Sequence, residues 1–150
     1  MYHYTESGLD NVFLIDGYTI HQTAYGDGVS IDDTDGLQKA IGRWLVSQPT
    51  PINGAELRFI RLEMERTQRA LASRLGTTEQ TLRLWEKNRA KDIPGPADRL
   101  LRAIYSDLVG EHKSVSALVD RLAELDQIER ADAHMRETER GWEAAELCAA

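Results

Sequence analysis

The chain has 150 residues, of which 41% are hydrophobic and 29% are charged, and its formal net charge is −7. No apolar run approaches the roughly 20 residues that a membrane-spanning helix needs. The single cysteine, Cys148, excludes an internal disulfide and a cysteine-based zinc site. The first residues lack the basic start and apolar stretch of a signal peptide, so we expect a cytoplasmic protein.

The first part of the chain is predicted to contain strands. Two β-prone runs, residues 11–15 and 18–23, flank Asp16-Gly17. Asp-Gly between such runs is a strong signal for a type I′ hairpin turn. Gly26-Asp27-Gly28 is predicted to break the chain again, and residues 29–31 to form a third short strand.

A helix is predicted next, because residues 33–35 can cap its N-terminus. Four apolar residues then recur at helical spacing: Leu37, Ile41, Trp44 and Leu45. These elements together predict a small N-terminal β+α unit at residues 1–47. Two prolines in three residues prevent the helix from continuing, so residues 48–53 are predicted to be a linker.

Helices dominate the second half. One helix is predicted from Ala55 to about Glu65 behind an Asn53 N-cap, and another from Pro96 to Gly110. The latter has an apolar stripe at Leu100, Leu101, Ile104, Tyr105 and Leu108. Residues 110–150 are predicted to be an acidic C-terminal helix or tail. The helix would run from a Ser114 cap to Leu125, with weak helix or disorder beyond Ile128.

Residues 67–88 predict a helix-turn-helix, with two short helices joined by a tight turn at Gly76. Leu71, Ala72, Leu75, Leu82 and Trp85 can share one core. Opposite them, a row of four residues at spacings of three, four and seven would face outward: Gln80, Arg83, Leu84 and Lys87. In such a motif the second helix lies in the DNA major groove.

The charge distribution agrees with DNA binding by this segment. Residues 1–50 carry seven acids and two bases, a net of −5, and residues 106–150 carry eleven acids and five bases, a net of −6. Residues 51–105 carry seven acids and eleven bases, a net of +4. The positive charge therefore lies where phosphates would be met.

The motif resembles the Cro/repressor (XRE) family over residues 53–109. The resemblance is carried by Thr67-Gln68, Leu71-Ala72, Leu75-Gly76-Thr77-Thr78 and Leu84-Trp85-Glu86-Lys87. It implies a lambda-repressor-like helix-turn-helix domain at residues 54–109, and hence an α+β, mostly α chain. The order of elements over residues 1–109 also resembles antitoxins of the MqsA/YgiT type. Those proteins hold zinc with two Cys-x-x-Cys pairs, which this chain lacks, so we expect no metal and no other cofactor.

Within the predicted second helix, Gln80 is the leading candidate for base contact, because its amide can pair with adenine N6 and N7. Arg83 could reach guanine or a phosphate. Leu84 could cover a thymine methyl or contact a neighbouring subunit; arginine stands at its position in the antitoxins. Glu79 could accept a hydrogen bond from cytosine N4 but would repel phosphate. Thr81 could contact a base or pack within the protein.

Other candidates would contact phosphates. The family resemblance assigns Gln68, at the start of the first helix, to a phosphate, and Thr77 is a further candidate. Thr78 is predicted to be the N-cap of the second helix. A basic segment follows that helix, and we expect its three cations to meet the DNA backbone: Lys87, Arg89 and Lys91. Trp85 is predicted to be core and Glu86 to make a structural hydrogen bond.

Two functions are compatible with these features. The first is a sequence-specific transcriptional repressor, an antitoxin-like autorepressor that binds a palindromic DNA operator as a homodimer. The second is a protein-interaction module whose acidic regions mask a basic partner such as a toxin. The four histidines are scattered, and the chain has no nucleophile elbow, P-loop or dinucleotide glycine pattern, so we expect no enzymatic activity.

Overall fold

The computed structural model describes residues 1–110 and 131–147. Over these ranges the chain is α+β and mostly helical, which confirms the predicted class. It divides into two compact units, which we call the sheet unit (Met1–Trp44 with Ala131–Ala150) and the helical unit (Leu45–Arg130). In the described ranges, the helices are all too short or too polar to cross a membrane. The helix predicted from Ser114 lies outside the described residues.

The sheet unit contains two separate sheets and most of one helix. Its elements are β1 (Tyr2–His3), β2 (Val12–Leu14), β3 (Tyr18–Thr23), β4 (Gly26–Ile31), α1 (Thr34–Ser47), β5 (Ala133–Thr138) and β6 (Gly141–Ala144). The larger sheet has the order β1-β2-β5-β6, in which β2 and β5 are parallel and the other pairs antiparallel. Its core includes Val12, Leu14, Ala133, Met135 and Trp142.

The hairpin predicted at Asp16-Gly17 is wrong. β2 pairs with β1 on one side and β5 on the other, so β3 cannot pair with it. The Asp-Gly pair instead takes the chain from one sheet to the other: Gly17 has a φ of +75°, and the Asp16 carboxylate accepts a hydrogen bond from the Glu137 amide at 2.6 Å. Asp16-Gly17 has the residue types of a turn, but the strand that pairs with β2 in place of β3 is β5, which lies far along the chain.

β3 and β4 form a two-stranded ribbon that turns at Ala24-Tyr25. The third strand was predicted at residues 29–31 and is present, but it begins earlier, at Gly26. The break predicted at Gly26-Asp27-Gly28 is therefore wrong, since all three residues pair with β3. Most ribbon residues are exposed, and Tyr25 is fully so.

The prediction for residues 133–144 is also wrong. Weak helix or disorder was expected beyond Ile128, but β5 and β6 form an antiparallel hairpin there. Trp142 on β6 is buried, and its indole N–H donates to the Asp32 carbonyl at 3.1 Å. The hairpin is stabilised by pairing with β2, a non-local contact that the local pattern does not reveal.

The helical unit contains the end of α1 and four helices with well-defined starts. They are α2 (Gly54–Glu63), α3 (Gln68–Leu75), α4 (Glu79–Lys87) and α5 (Gly95–Leu108). Asn53 and Glu56 form a capping box at α2, while Thr67 and Thr78 cap α3 and α4. These side chains satisfy backbone N–H groups that a helix cannot satisfy itself. The predicted caps at Asn53 and Thr78 are confirmed.

The buried face of α5 differs from the predicted stripe. Leu101 and Tyr105 are buried, but Leu100 and Leu108 are 41% and 58% exposed. The buried face also includes Asp98 and the completely buried Arg102. The apolar spacing alone predicts the wrong centre for the buried face of α5, because a buried ion pair occupies part of that face.

Arg102 ties the predicted linker to α5. Its Nε donates to Asp98 Oδ1 at 2.5 Å, and its two terminal nitrogens donate to the carbonyls of Val46, Gln48 and Thr50. The Asp98 carboxylate in turn accepts from the Ile52 amide at 2.7 Å. The buried side chains of Arg102 and Asp98 and the backbone polar groups of the predicted linker thus satisfy each other's hydrogen bonds.

Candidate nucleic-acid interface

α4 has one face fixed in the protein and one face open to solvent. Leu82 and Glu86 are buried. The four residues predicted to face outward do so; we call them the exposed row: Gln80, Arg83, Leu84 and Lys87. Leu84 keeps 54% of its surface exposed. The sequence-predicted register of α4 is therefore confirmed.

A buried ion pair holds α4 against α2. Arg61 Nε and one terminal nitrogen donate to the two carboxylate oxygens of Glu86 at 2.8 and 2.9 Å. Arg61 also donates to the Arg66 carbonyl in the turn after α2. The expected structural hydrogen bond of Glu86 is thus present. A two-pronged contact of this kind fixes orientation as well as distance.

Gln68 lies between this ion pair and the exposed row. Its Nε2 donates to Glu86 Oε1 at 3.3 Å, and its Oε1 accepts from Arg83 Nε at 3.4 Å. The side chain predicted to reach a phosphate is half-buried at the first position of α3, with both ends of its amide engaged. Gln68 therefore links the buried pair to Arg83.

Arg83 also contacts Glu79 on its own helix, through a guanidinium–carboxylate distance of 3.0 Å. The Arg83 and Glu79 side chains are 60% and 44% exposed. Gln80, next to Glu79, is exposed as well. The polar candidates for base contact thus share the exposed face of one short helix.

The three threonines have different surroundings. The Thr78 hydroxyl accepts from the Thr81 amide at 3.1 Å and donates to the Thr81 hydroxyl at 2.8 Å. Thr81 is half-buried. The Thr77 amide donates to the Ala72 carbonyl, which completes the end of α3 beside Gly76. The turn between α3 and α4 is thereby fixed at both ends.

The backbone after α4 is held by α2. The first two amides of α2, at Gly54 and Ala55, donate to the carbonyls of Lys91 and Arg89 at 3.1 Å each. A Cβ on Gly54 would lie 2.0 Å from the Trp85 carbonyl oxygen, so only glycine permits this approach. The side chains of Lys87, Arg89 and Lys91 are exposed.

Sequence reasoning did not single out Arg58. This exposed residue of α2 lines an open cleft together with Gln68, Glu79, Arg83 and Lys87. Its charge predicts exposure. The sequence offers no signal that its side of α2 adjoins α4, because that depends on the Arg61–Glu86 contact.

Trp85 is half-buried rather than core, which corrects the prediction. It lines a cavity of about 240 Å³ with its neighbour Leu84 and with Asn88 and Pro94. Helical spacing from Leu82 placed Trp85 near the core, but the segment after α4 leaves part of its ring uncovered.

The exposed charge between residues 54 and 94 is mostly positive. Arg61 and Glu86 are buried and compensate each other, and Glu56 is buried as a cap. The exposed acids are Glu65, Glu79 and Asp92, and the exposed bases are Arg58, Arg66, Arg69, Arg74, Arg83, Lys87, Arg89 and Lys91. This surface therefore suits an anionic ligand.

No protein-family model, curated protein or solved structure gave a significant match to this chain.

Proposed function

We propose that the helical unit is a sequence-specific DNA-binding module of the helix-turn-helix type, with α3 and α4 as its two helices. The main support is the division of α4 into a face held by Leu82 and Glu86 and the exposed row. A helix that is anchored on one side and carries amide, guanidinium and apolar groups on the other can present them to base edges.

The dimensions and chemistry of α4 fit a major groove. An α-helix with its side chains is about 10–12 Å in diameter, and the groove is about 12 Å wide and admits an α-helix. The nine residues of α4 extend about 13 Å, enough to span several bases. The Gln80 amide matches the donor and acceptor of adenine, the Arg83 guanidinium matches guanine, and Leu84 can cover a thymine methyl. The row thus offers a distinct chemistry to each of three bases.

Phosphate contacts would come from Lys87, at the end of the row, and from residues around it. Arg89 and Lys91 lie on the following segment, whose backbone is fixed to α2, and Arg58 lines the same cleft as Lys87. Phosphate neutralisation supplies most non-specific affinity and makes it salt-dependent. We expect the acidic sheet unit to weaken binding to random DNA.

We further propose that the protein acts as a homodimeric repressor. One short helix contacts few bases, and two half-sites about 34 Å apart are the usual remedy. Leu100 and Leu108 lie two helical turns apart on α5 and are exposed. They offer a patch that a second copy can bury. By analogy with the antitoxins it resembles, the repressor would occupy an operator upstream of its own gene.

The test is selection of binding sites from a random duplex pool, followed by footprinting on the DNA upstream of the gene. We expect one enriched palindrome and two protected half-sites. Lys87→Glu should abolish protection of the half-sites. Lys39→Glu makes the same charge change at an exposed position of α1 in the sheet unit and should preserve protection. Absence of an enriched sequence would contradict the proposal.

A second candidate function has its own support in the sheet unit. The ribbon exposes Ile20 and Tyr25, and residues 18–35, which comprise the ribbon and the start of α1, carry four aspartates and neither lysine nor arginine. Slight desolvation, and then the neighbouring Asp32 carboxylate, raise the pKa of Glu137. An acidic unit that also exposes apolar groups suits a basic protein, such as a toxin encoded beside this chain.

This second function is tested by binding to the purified product of the adjacent gene, if that product is small and basic. Tyr25→Ser should weaken the complex, while Leu84→Ser, on the DNA-binding surface, should leave it unchanged. Equal loss with both variants would contradict a ribbon-specific interface.

A further inference from the structure

Arg83 is held from two sides before any DNA is present. Its Nε donates to Gln68 Oε1 at 3.4 Å, and a terminal nitrogen donates to Glu79 Oε1 at 3.0 Å. A guanidinium has five N–H donors in a rigid fork, so about three remain available. The guanidinium plane is thus oriented while part of its donor edge stays open.

The orientation extends into the core. Gln68 is itself held by Glu86, whose carboxylate receives the two-pronged contact from Arg61. Arg83 is therefore positioned relative to α2 and α3 as well as α4. Lys87 is the last residue of α4, and its side chain is exposed.

The Glu79–Arg83 pair has no net charge. Non-specific affinity depends on the number of phosphates neutralised by cations, and a cation already paired with a carboxylate contributes little to it. To bind a phosphate, Arg83 would have to leave Glu79 and bring an uncompensated carboxylate close to the DNA backbone.

Guanine, unlike a phosphate, can bind Arg83 while the Glu79–Arg83 pair stays intact. Its O6 and N7 are neutral acceptors side by side in the major groove, and they match two parallel N–H groups of an arginine. Arg83 can use its open edge for them without releasing Glu79. The carboxylate then holds the guanidinium in place while its free N–H groups donate to the base.

We propose that Glu79 is a specificity-determining residue of this surface: by pairing with Arg83 it withholds the guanidinium from phosphates and directs it to a guanine. The inference rests on the proposed DNA binding. It assigns a G·C pair to the operator at the position that Arg83 reaches, and it makes Glu79 a positioning residue there.

A double-mutant cycle tests the inference, using Glu79→Gln, Arg83→Gln and the double variant. Each full-length protein is titrated with the enriched duplex and with a random duplex of equal length, at several salt concentrations. Glu79→Gln should tighten binding to random DNA about tenfold and steepen its salt dependence by about one phosphate equivalent. Affinity for the enriched site should change less than about threefold.

The Arg83→Gln background separates pairing from bulk charge. In that background, Glu79→Gln should tighten binding to the random duplex no more than about threefold, since no guanidinium is released. Glu65→Gln, which removes another exposed acid of the helical unit, should behave like that weaker case. Arg83→Gln alone should relax preference for a single G·C pair.

The outcomes also separate this inference from the proposed function. If the unchanged protein enriches no sequence, the proposed function is wrong and the inference falls with it. If it does enrich a site, equal gains from Glu79→Gln in both backgrounds, or no relaxed G·C preference in Arg83→Gln, would overturn the role of Glu79 alone.

Discussion

The two units of this chain use charged groups in opposite ways. Up to Gly110, where the described part of the helical unit ends, this unit buries two ion pairs, Arg61–Glu86 and Asp98–Arg102, and leaves mainly cations exposed. The sheet unit has an apolar core and exposes carboxylates; slight desolvation, and then the neighbouring Asp32 carboxylate, raise the pKa of Glu137. Net charge is therefore a poor guide to the binding partners of this chain, because a net charge of −7 coexists with a positively charged surface.

The difference extends to what holds each unit together. In the helical unit, side-chain hydrogen bonds fix helix starts, the loop after α4 and the chain before α2. In the sheet unit, strands distant in sequence are joined by backbone pairing and by apolar residues such as Leu14 and Met135. Stability should therefore respond differently to the loss of a buried charge and to changes of exposed charge.

The largest effect is expected from Arg102→Met. Removing the guanidinium leaves Asp98 buried without its ion-pair partner and deprives the carbonyls of Val46 and Thr50 of a donor. Breaking a buried pair costs about 3–5 kcal/mol. Urea unfolding measures this loss, with exposed Arg66→Met as the control, for which we expect less than about 0.5 kcal/mol. Similar values for both variants would show that the buried pair does not stabilise the helical unit.

A smaller effect is expected from Gly54→Ala. The new Cβ would meet the backbone oxygens of Trp85 and Asn88, which cannot move as a side chain can. Overpacking of this kind costs about 1–3 kcal/mol. Gly95→Ala is the matched control, because its Cβ would meet only the flexible end of Arg99.

Thermal unfolding of the two glycine variants, together with their DNA affinity, checks this expectation. Gly54→Ala should lower both, since it displaces the segment that carries Arg89 and Lys91. A stable Gly54→Ala protein with unchanged affinity would contradict the close packing of α2 against the end of α4.

The smallest effect is expected from Glu137→Gln in the sheet unit. A raised pKa means that the folded state favours the protonated carboxyl, so this contribution to stability is present below the ordinary value of 4.5 and lost as the pH rises through the raised pKa. Glu137→Gln should slightly raise the midpoint of thermal unfolding at about pH 7 and leave it unchanged at about pH 3. Glu139→Gln, at an exposed position of the turn between β5 and β6, is the control for charge alone; identical profiles for the two variants would refute the role of the local carboxylates.

The helices could be predicted because their signals are local. Asn53 and Glu56 lie three residues apart, as do Thr78 and Thr81, so capping patterns and apolar spacing locate α2 and α4 from the sequence. The exposed row followed from the same periodicity. Leu100 and Leu108 show the limit of that reasoning, since a polar residue, Arg102, occupies the buried face of α5.

Other features depend on contacts that sequence spacing does not encode. The parallel pairing of Val12 with Ala133 joins strands more than 100 residues apart, which is why both the Asp16-Gly17 turn and the C-terminal hairpin were misjudged. The link from Arg61 through Glu86 and Gln68 to Arg83 needs three helices in place. Candidate residues could be named from sequence, but the contacts that orient them could not.

The central claim is that Gln80, Arg83 and Leu84 of the exposed row read bases, while Lys87 and the cations that follow it bind phosphates. A salt-titrated binding series on the enriched operator and its single-base variants tests this most directly. Gln80→Ala should remove about 1–3 kcal/mol of discrimination at one position per half-site. Lys87→Ala or Arg89→Ala should weaken binding to all variants and lower the salt slope by about one unit. Equal loss on every variant with Gln80→Ala would contradict the placement of α4 in the groove.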